Sequence, residues 1–323
     1  MALFGRRRNG SDVSARFFYA TDLHSSEACF RKLLAAPAAY EASTVIMGGD
    51  CTGKMLIPIV RSELGDWVCE WAGERHALVS EDEVAELERR IRYAGLYPVR
   101  LSQSEAGELA NSDRLEQLFS RQMLETLAQW VELAEERLAP KGVRVIMTPG
   151  NDDEFAVDEV LRAGSYVEAP EGGVTRLGQH EMLSIGWSNH TPWHTPRECS
   201  EEDLAGKIDA LAEQIEDMPN AIFNIHVPPY GTGLDDAPEL DEDLRPIQGG
   251  SVSKAVGSTA VRDALLKHQP LLSLHGHIHE SRGVQKLGRT TAINPGSVYG
   301  EGVLQGVVVE LRPGSVRQTL TTG

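Results

Sequence analysis

A chain of 323 residues with 41% hydrophobic and 24% charged content is long enough to bury a large core and has the composition of a globular protein. Its formal net charge of -17 at pH 7 excludes a surface that binds nucleic acid non-specifically, because that mode needs Lys and Arg to displace counterions from phosphates. No run approaches the roughly 18 apolar residues of a membrane span, and Cys29, Cys51, Cys69 and Cys199 are scattered without a C-x-x-C pair, which sets aside a zinc ribbon or disulfide framework and points to a reducing cytoplasm.

The amino-terminal MALFGRRRNG carries its basic residues after its few apolar ones, with no apolar segment behind them, and does not read as a secretory signal. Strand-like apolar runs follow at residues 16 to 21, 43 to 47, 143 to 148, 221 to 226, 271 to 275 and 303 to 311, separated by amphipathic stretches. That alternation predicts an α/β layered domain. After the second run, VIMGGDCTGK matches the spacing of a phosphate-cradling loop from Gly48 to Lys54. Met55 stands where a magnesium-holding hydroxyl is required, however, and Pro58 where the following helix should propagate, so the match is coincidental. What this stretch offers is Asp50, a carboxylate just past a buried strand.

The longest excursion runs from about residue 61 to 138. Alternation around Gly73 predicts a hairpin, Ser80 a helix cap, and three-and-four spacing from Asp113 a long amphipathic helix. The chain is therefore expected to be one domain over 1–323 with an insert at about 61–138. Spliced between two strands, that insert is placed either to sit beside the active crevice or to mediate self-association into a homo-oligomer.

Most of the predicted strands end in a residue able to bind metal, and ligands in open α/β sheets gather outside the carboxyl ends of strands. The first run is followed by Asp22 and His24, the second by Gly48-Gly49-Asp50, the third by Gly150-Asn151-Asp152, the fourth by His226 and two prolines, and the fifth by HGHIH with His277 and His279. Residues two apart in extended backbone share a face, so these two histidines can serve neighbouring ions. Carboxylate and amide oxygens mixed with imidazole nitrogens suit manganese, iron or zinc rather than calcium.

In this order, D-x-H, G-D, G-N-D-D, H and G-H-x-H resemble the calcineurin-like metallophosphoesterase superfamily, from Asp22 to Gly302, including the closing INPGSVYGEG turn. The resemblance implies a four-layer α/β/β/α sandwich holding two divalent metals. Asp22, His24, Asp50 and His279 would bind the first ion, and Asp50, Asn151, His226 and His277 the second. It implies hydrolysis of a small phosphoester by a water activated between the ions.

Two departures stand out. Gly53 occupies a position where many members carry an acidic or amide residue, and Asp152 one where they often carry a histidine thought to protonate the leaving group. A carboxyl beside two cations is a poor acid at neutral pH. The polar stretch 188–198, SNHTPWHTPRE, supplies other candidates: His190 or His194 as general acid, and Arg197 to grip a phosphoryl oxygen. Tyr230 and Arg282 are weaker candidates, and His76, His180 and His268 read as solvated surface residues. Two divalent ions, two carboxylates and a bridging hydroxide leave a single positive charge, matched by a phosphodiester monoanion such as a cyclic nucleotide. A phosphomonoesterase or pyrophosphatase is the alternative, and a non-catalytic metal-binding scaffold a further one.

Overall fold

Two six-stranded sheets pack face to face in the computed structural model, which describes residues 13–323; the amino-terminal stretch considered above as a signal lies outside the described residues. The first sheet runs, in spatial order, Ser315–Thr322, Gln305–Arg312, Ala15–Ala20, Thr44–Gly48, Arg144–Thr148 and Val167–Glu168. Its last four strands are parallel. The second runs Gly283–Leu287, Thr290–Asn294, Leu272–Leu274, Ile222–Ile225, His180–Ile185 and Gly173–Leu177, with the four middle strands parallel.

Alternation along each strand decides what it covers. In Ala15–Ala20, Phe17 and Tyr19 point between the sheets, where they meet Ile46, Ile146, Met182, Ile222, Leu274 and Val307. Phe18 and Ala20 point outward, onto the helices Glu27–Tyr40 and Ser112–Leu138 through Phe30, Leu33 and Trp130. Phe30 and Trp130 stack at 4.0 Å. On the second sheet Leu183, Phe223 and Ile225 pack outward against Leu204 and Ile208 of the helix Glu201–Ala212 and Val261 and Leu265 of the helix Thr259–His268. The result is the four-layer α/β/β/α sandwich expected from the motifs. Burying each such side chain contributes roughly 1.5–3 kcal/mol, so this alternation is the main determinant of register.

The excursion between the second and third strands of the first sheet forms its own four-stranded sheet. Leu56–Arg61 is its central strand, flanked by Trp67–Trp71 with Glu74–Leu78 on one side and Tyr97–Leu101 on the other. The strand Leu56–Arg61 occupies the place where a nucleotide-binding loop would continue as a helix. The hairpin around Gly73 forms, and Ser80 caps Glu81–Tyr93 with a reciprocal bond to Glu83. The insert abuts the ligand loops. The Tyr97 hydroxyl accepts from the Gly53 amide at 2.7 Å, and a Cβ on Gly53 would lie 2.3 Å from the Gly95 carbonyl. There is no room at Gly53 for the acidic or amide side chain that the resemblance leads one to expect.

One surface expectation is corrected. His180 is fully buried, bridging the Ser14 hydroxyl at 2.6 Å and the Asn220 carbonyl at 2.8 Å. Among the described residues, no helix is long and apolar enough to cross a membrane.

Candidate metal centre

The parallel strands of both sheets deliver their carboxyl ends to one crevice. Asp22, His24, Asp50 and His279 each place a ligand atom there, all within 4.8 Å of one another, and the first three are buried. These are the four side chains that the resemblance assigns to the first ion. His226 Nε2 is 3.3 Å from Asp50 Oδ1 and 3.7 Å from Asp22 Oδ1. His277 Nδ1 is 2.6 Å from Asn151 Oδ1. All seven expected ligands therefore converge, with Asp50 between the two groups.

Sharp backbone turns produce this convergence. Asp22, His24, Asp50 and His277 have φ of 54°, 41°, 48° and 66°, in the left-handed region that costs about 1–3 kcal/mol at a non-glycine residue. Cross-loop hydrogen bonds hold them there. The Asp22 amide donates to the Gly49 carbonyl at 3.0 Å, the His24 amide to the Asp50 carbonyl at 2.9 Å, and the His277 amide to the Asp22 carboxylate at 3.0 Å. Glycine is required beside them, because a Cβ at Gly150 would lie 2.1 Å from Asp50 Oδ1 and one at Gly49 2.2 Å from His226 Nδ1.

The donor set fits divalent cations. His226 donates from Nδ1 to the Gly48 carbonyl at 3.2 Å, which turns its Nε2 lone pair into the crevice, and that buried Nε2 has no hydrogen-bond partner. His24 likewise donates from Nδ1 to the Thr52 carbonyl, leaving its Nε2 3.2 Å from His279 Nε2 and 3.5 Å from Asp50 Oδ2. Atoms about 2.0–2.2 Å from a shared ion stand roughly 3–3.5 Å apart, the spacing seen here. A buried Asp and His cluster of this kind is a place to hold metal.

Protonation equilibria describe the same frustration. Burial pushes the Asp22 carboxyl up, but His279, His226 and His24 outweigh it and hold it well below the usual carboxylate range. Burial disfavours the His226 imidazolium, yet Asp50 and Asp22 raise it to about 10. Burial and the His226 charge push His277 down to about 3. Without a cation, the Asp50 and Asp22 carboxylates thus favour a proton on His226 Nε2, the position a metal ion would take in its place.

Outer partners orient the ligands, and sequence reasoning missed most of them. The Asn151 amide donates to Thr195 Oγ1 at 2.9 Å, which aims its oxygen at His277, and Thr195 is held in turn by Glu198 at 2.8 Å. The buried Asp153 carboxylate accepts from the amides of Cys51, Thr52 and Gly150 at 2.8–2.9 Å, pinning the Asp50 loop to the Asn151 loop. Asn294 donates to the carbonyls of Gly276 and Ile278, and Ser297 to that of Asp22 at 2.7 Å. Such partners fix ligand orientation and raise affinity. Asp153, Asn294 and Ser297 lie in motifs quoted above, and Thr195 in the 188–198 stretch, but none of them was singled out as an orienting partner.

The candidates for acid and phosphoryl contact fare differently. Asp152 lies at the cluster, its amide donating to Asp50 Oδ1 at 3.0 Å and its carboxylate pairing with Lys54. The ends of the 188–198 stretch are clipped together by the short strands Ser188–Asn189 and Glu198–Cys199, a local departure from the expected loop. Arg197 does not reach the crevice. It is 1% exposed and donates to the carbonyls of Asp153 and Glu154 and to the Asp158 carboxylate at 2.7–3.0 Å, with its guanidinium 4.8 Å over the Phe155 ring. His190 is 69% exposed and faces Glu198, and His194 is exposed. Arg282 donates to the Thr321 carbonyl, and Tyr230 sits beneath Arg262.

No protein-family model matches the chain. It is 31% identical over 156 residues to the uncharacterized protein MJ1162 of Methanocaldococcus jannaschii, a match spanning 47% of this chain and 64% of that one. A crystal structure of TT1561 of Thermus thermophilus superposes with a TM-score of 0.53 at 13% identity, covering 94% of this chain and 98% of its own. A further crystal structure gives 0.55 at 16% with the same coverage. The chain therefore shares its fold with these two solved structures, in keeping with the layered α/β arrangement that its ordered motifs led us to expect.

Proposed function

We propose that this chain is a dinuclear-metal phosphoesterase acting on phosphodiesters, cyclic nucleotides or other small diesters among them. Asp22, His24, Asp50 and His279 hold one ion and Asp50, Asn151, His226 and His277 the other. The observation carrying this reading is the buried His226 Nε2, without a partner and 3.3 Å from Asp50, at the centre of seven converging ligands. Two divalent cations there supply Lewis-acid activation of water and neutralise charge at phosphorus.

The protein does the rest. Gly48, Thr52 and Thr195 fix the imidazoles of His226 and His24 and the amide of Asn151, so no reorganisation accompanies reaction. Two carboxylates against two divalent charges and a hydroxide leave one positive charge, which suits a diester monoanion. The four free thiols support operation in a reducing compartment such as the cytoplasm.

The test is turnover of bis-nitrophenyl phosphate against mono-nitrophenyl phosphate by protein stripped of metal and reloaded with manganese, iron or zinc. Faster diester turnover with about two ions per chain supports the reading. Preference for the monoester or for pyrophosphate would replace it.

A further inference from the structure

Lys54, the last residue of the GGDCTGK stretch, lies at the mouth of the crevice. Its ammonium pairs with the Asp152 carboxylate, whose Oδ2 is 3.9 Å from His24 Nδ1 and whose backbone amide donates to Asp50 Oδ1 at 3.0 Å. Lys54 is 53% exposed and Asp152 15%, so the pair is rooted in the ligand loops but open to substrate. The Tyr299 ring, 4.6 Å from His24 and 5.8 Å from His279, walls the same side. Burial disfavours the Lys54 charge, but Asp152 and Asp50 outweigh it and keep the ammonium protonated.

An ion pair this exposed adds about 0–1 kcal/mol to stability, too little to explain a lysine placed beside the converging Asp and His side chains. The pair instead solves a chemical problem. His190 and His194 face solvent, and Arg197 is committed to the loop 153–158. Lys54 keeps further N–H bonds free of Asp152, because an ammonium carries three.

Resting on the phosphoesterase reading above, we propose that Lys54 is a catalytic residue that donates a hydrogen bond to the departing oxygen of the substrate, with Asp152 as the positioning residue that holds it there. As water oxygen bonds to phosphorus, the phosphorus–oxygen bond to the leaving group breaks and that oxygen keeps the electron pair. Lys54 neutralises it by a hydrogen bond for a phenolate, or by proton transfer for a more basic alkoxide. The proton released by the attacking water passes to bulk solvent in the first case and restores the ammonium in the second.

The experiment compares wild type, Lys54→Met, Lys54→Arg and Asp152→Asn on methyl aryl phosphates whose phenols rise in pKa. Alongside it, metal content is measured, and binding of inorganic phosphate is followed by calorimetry. The proposal expects Lys54→Met to lose only about 10-fold on the nitrophenyl ester, whose leaving group needs little help, and about 1000-fold on the phenyl ester, the latter within the range of general-acid effects, with partial rescue by Lys54→Arg. Metal content should stay within about twofold, and phosphate affinity should fall far less than the phenyl-ester rate, because the charge developing on the departing oxygen is met only in the transition state. A loss equal across the series, no loss at all, or a matching fall in phosphate affinity would overturn the role of Lys54. Silence of the wild type on every ester would instead overturn the parent reading.

Discussion

His226 Nε2 lies 3.3 Å from Asp50 Oδ1 with no proton-donating partner, while its Nδ1 is committed to the Gly48 carbonyl 3.2 Å away. One ring nitrogen is thus fixed by backbone and the other is presented to the crevice beside a carboxylate. A histidine that only filled space would satisfy both. Replacing it with alanine removes a nitrogen ligand of the second ion, whose other ligands are Asp50, Asn151 and His277. His226→Ala is expected to bind about one fewer ion per chain and to lose about 1000-fold or more in turnover, with its circular dichroism unchanged. Elemental analysis beside the rate measurement checks this.

Thr195 acts one step further out. Thr195→Val keeps the side-chain shape but removes the oxygen that accepts from Asn151 at 2.9 Å. The amide is then free to rotate away from His277. Metal affinity is expected to fall about 10–100-fold at one of the two sites and to stay unchanged at the other, as losses of orienting partners do. Competition titration with a chromophoric chelator resolves the two sites.

Arg197 and His190 separate support from chemistry within one loop. Arg197→Met strips three protein acceptors of a buried donor, and removing one partner of a buried charged network costs about 3–5 kcal/mol. Urea unfolding should show that loss. His190→Ala, at an exposed position, should leave both stability and turnover within about twofold of wild type. A turnover loss at His190 with stability intact would restore it as the acid.

Glu198 gives the loop a pH dependence of known sign. Burial raises its pKa, but bonds from Thr191 and Thr195 outweigh that and hold it below the ordinary glutamate value. A depressed folded pKa means stability fully present above the unfolded value and lost as pH falls through the folded one. The loop 188–198 should therefore loosen in acid, below the usual glutamate range near pH 4, and release Asn151. Glu198→Gln should show that looser state at neutral pH as well, with less change on acidification. Amide exchange at Thr195 as a function of pH is the measurement.

Much of this organisation was legible in the sequence for physical reasons. The strands Ala15–Ala20, Thr44–Gly48, Arg144–Thr148 and Ile222–Ile225 lie within a residue or two of the expected runs, because strands buried on both faces read as continuous apolar segments. Asp22, Asp50, Asn151 and His226 were legible because each follows such a run directly. The strand Leu56–Arg61 was not, since Pro58 and Arg61 break its apolar pattern. Ser315–Thr322 was not either, because an edge strand with one exposed face is polar at alternate positions. Thr195 and Lys54 act through contacts made across long stretches of chain, and no local pattern announces a threonine that meets an asparagine 44 residues away. The histidines of the 188–198 loop mark the complementary limit, since residue type signals chemistry while only packing decides that both rings are exposed.

The central claim is that seven side chains from five strand ends hold two ions which hydrolyse phosphodiesters. The most direct measurement is metal content together with bis-nitrophenyl phosphate turnover in manganese-reloaded wild type and Asp50→Asn. The account expects about two ions and steady diester hydrolysis in the wild type, with fewer ions and at least about a 1000-fold slower rate in the variant. Diester hydrolysis retained by Asp50→Asn, or two tightly bound ions in a wild type inert toward every phosphoester, would contradict it.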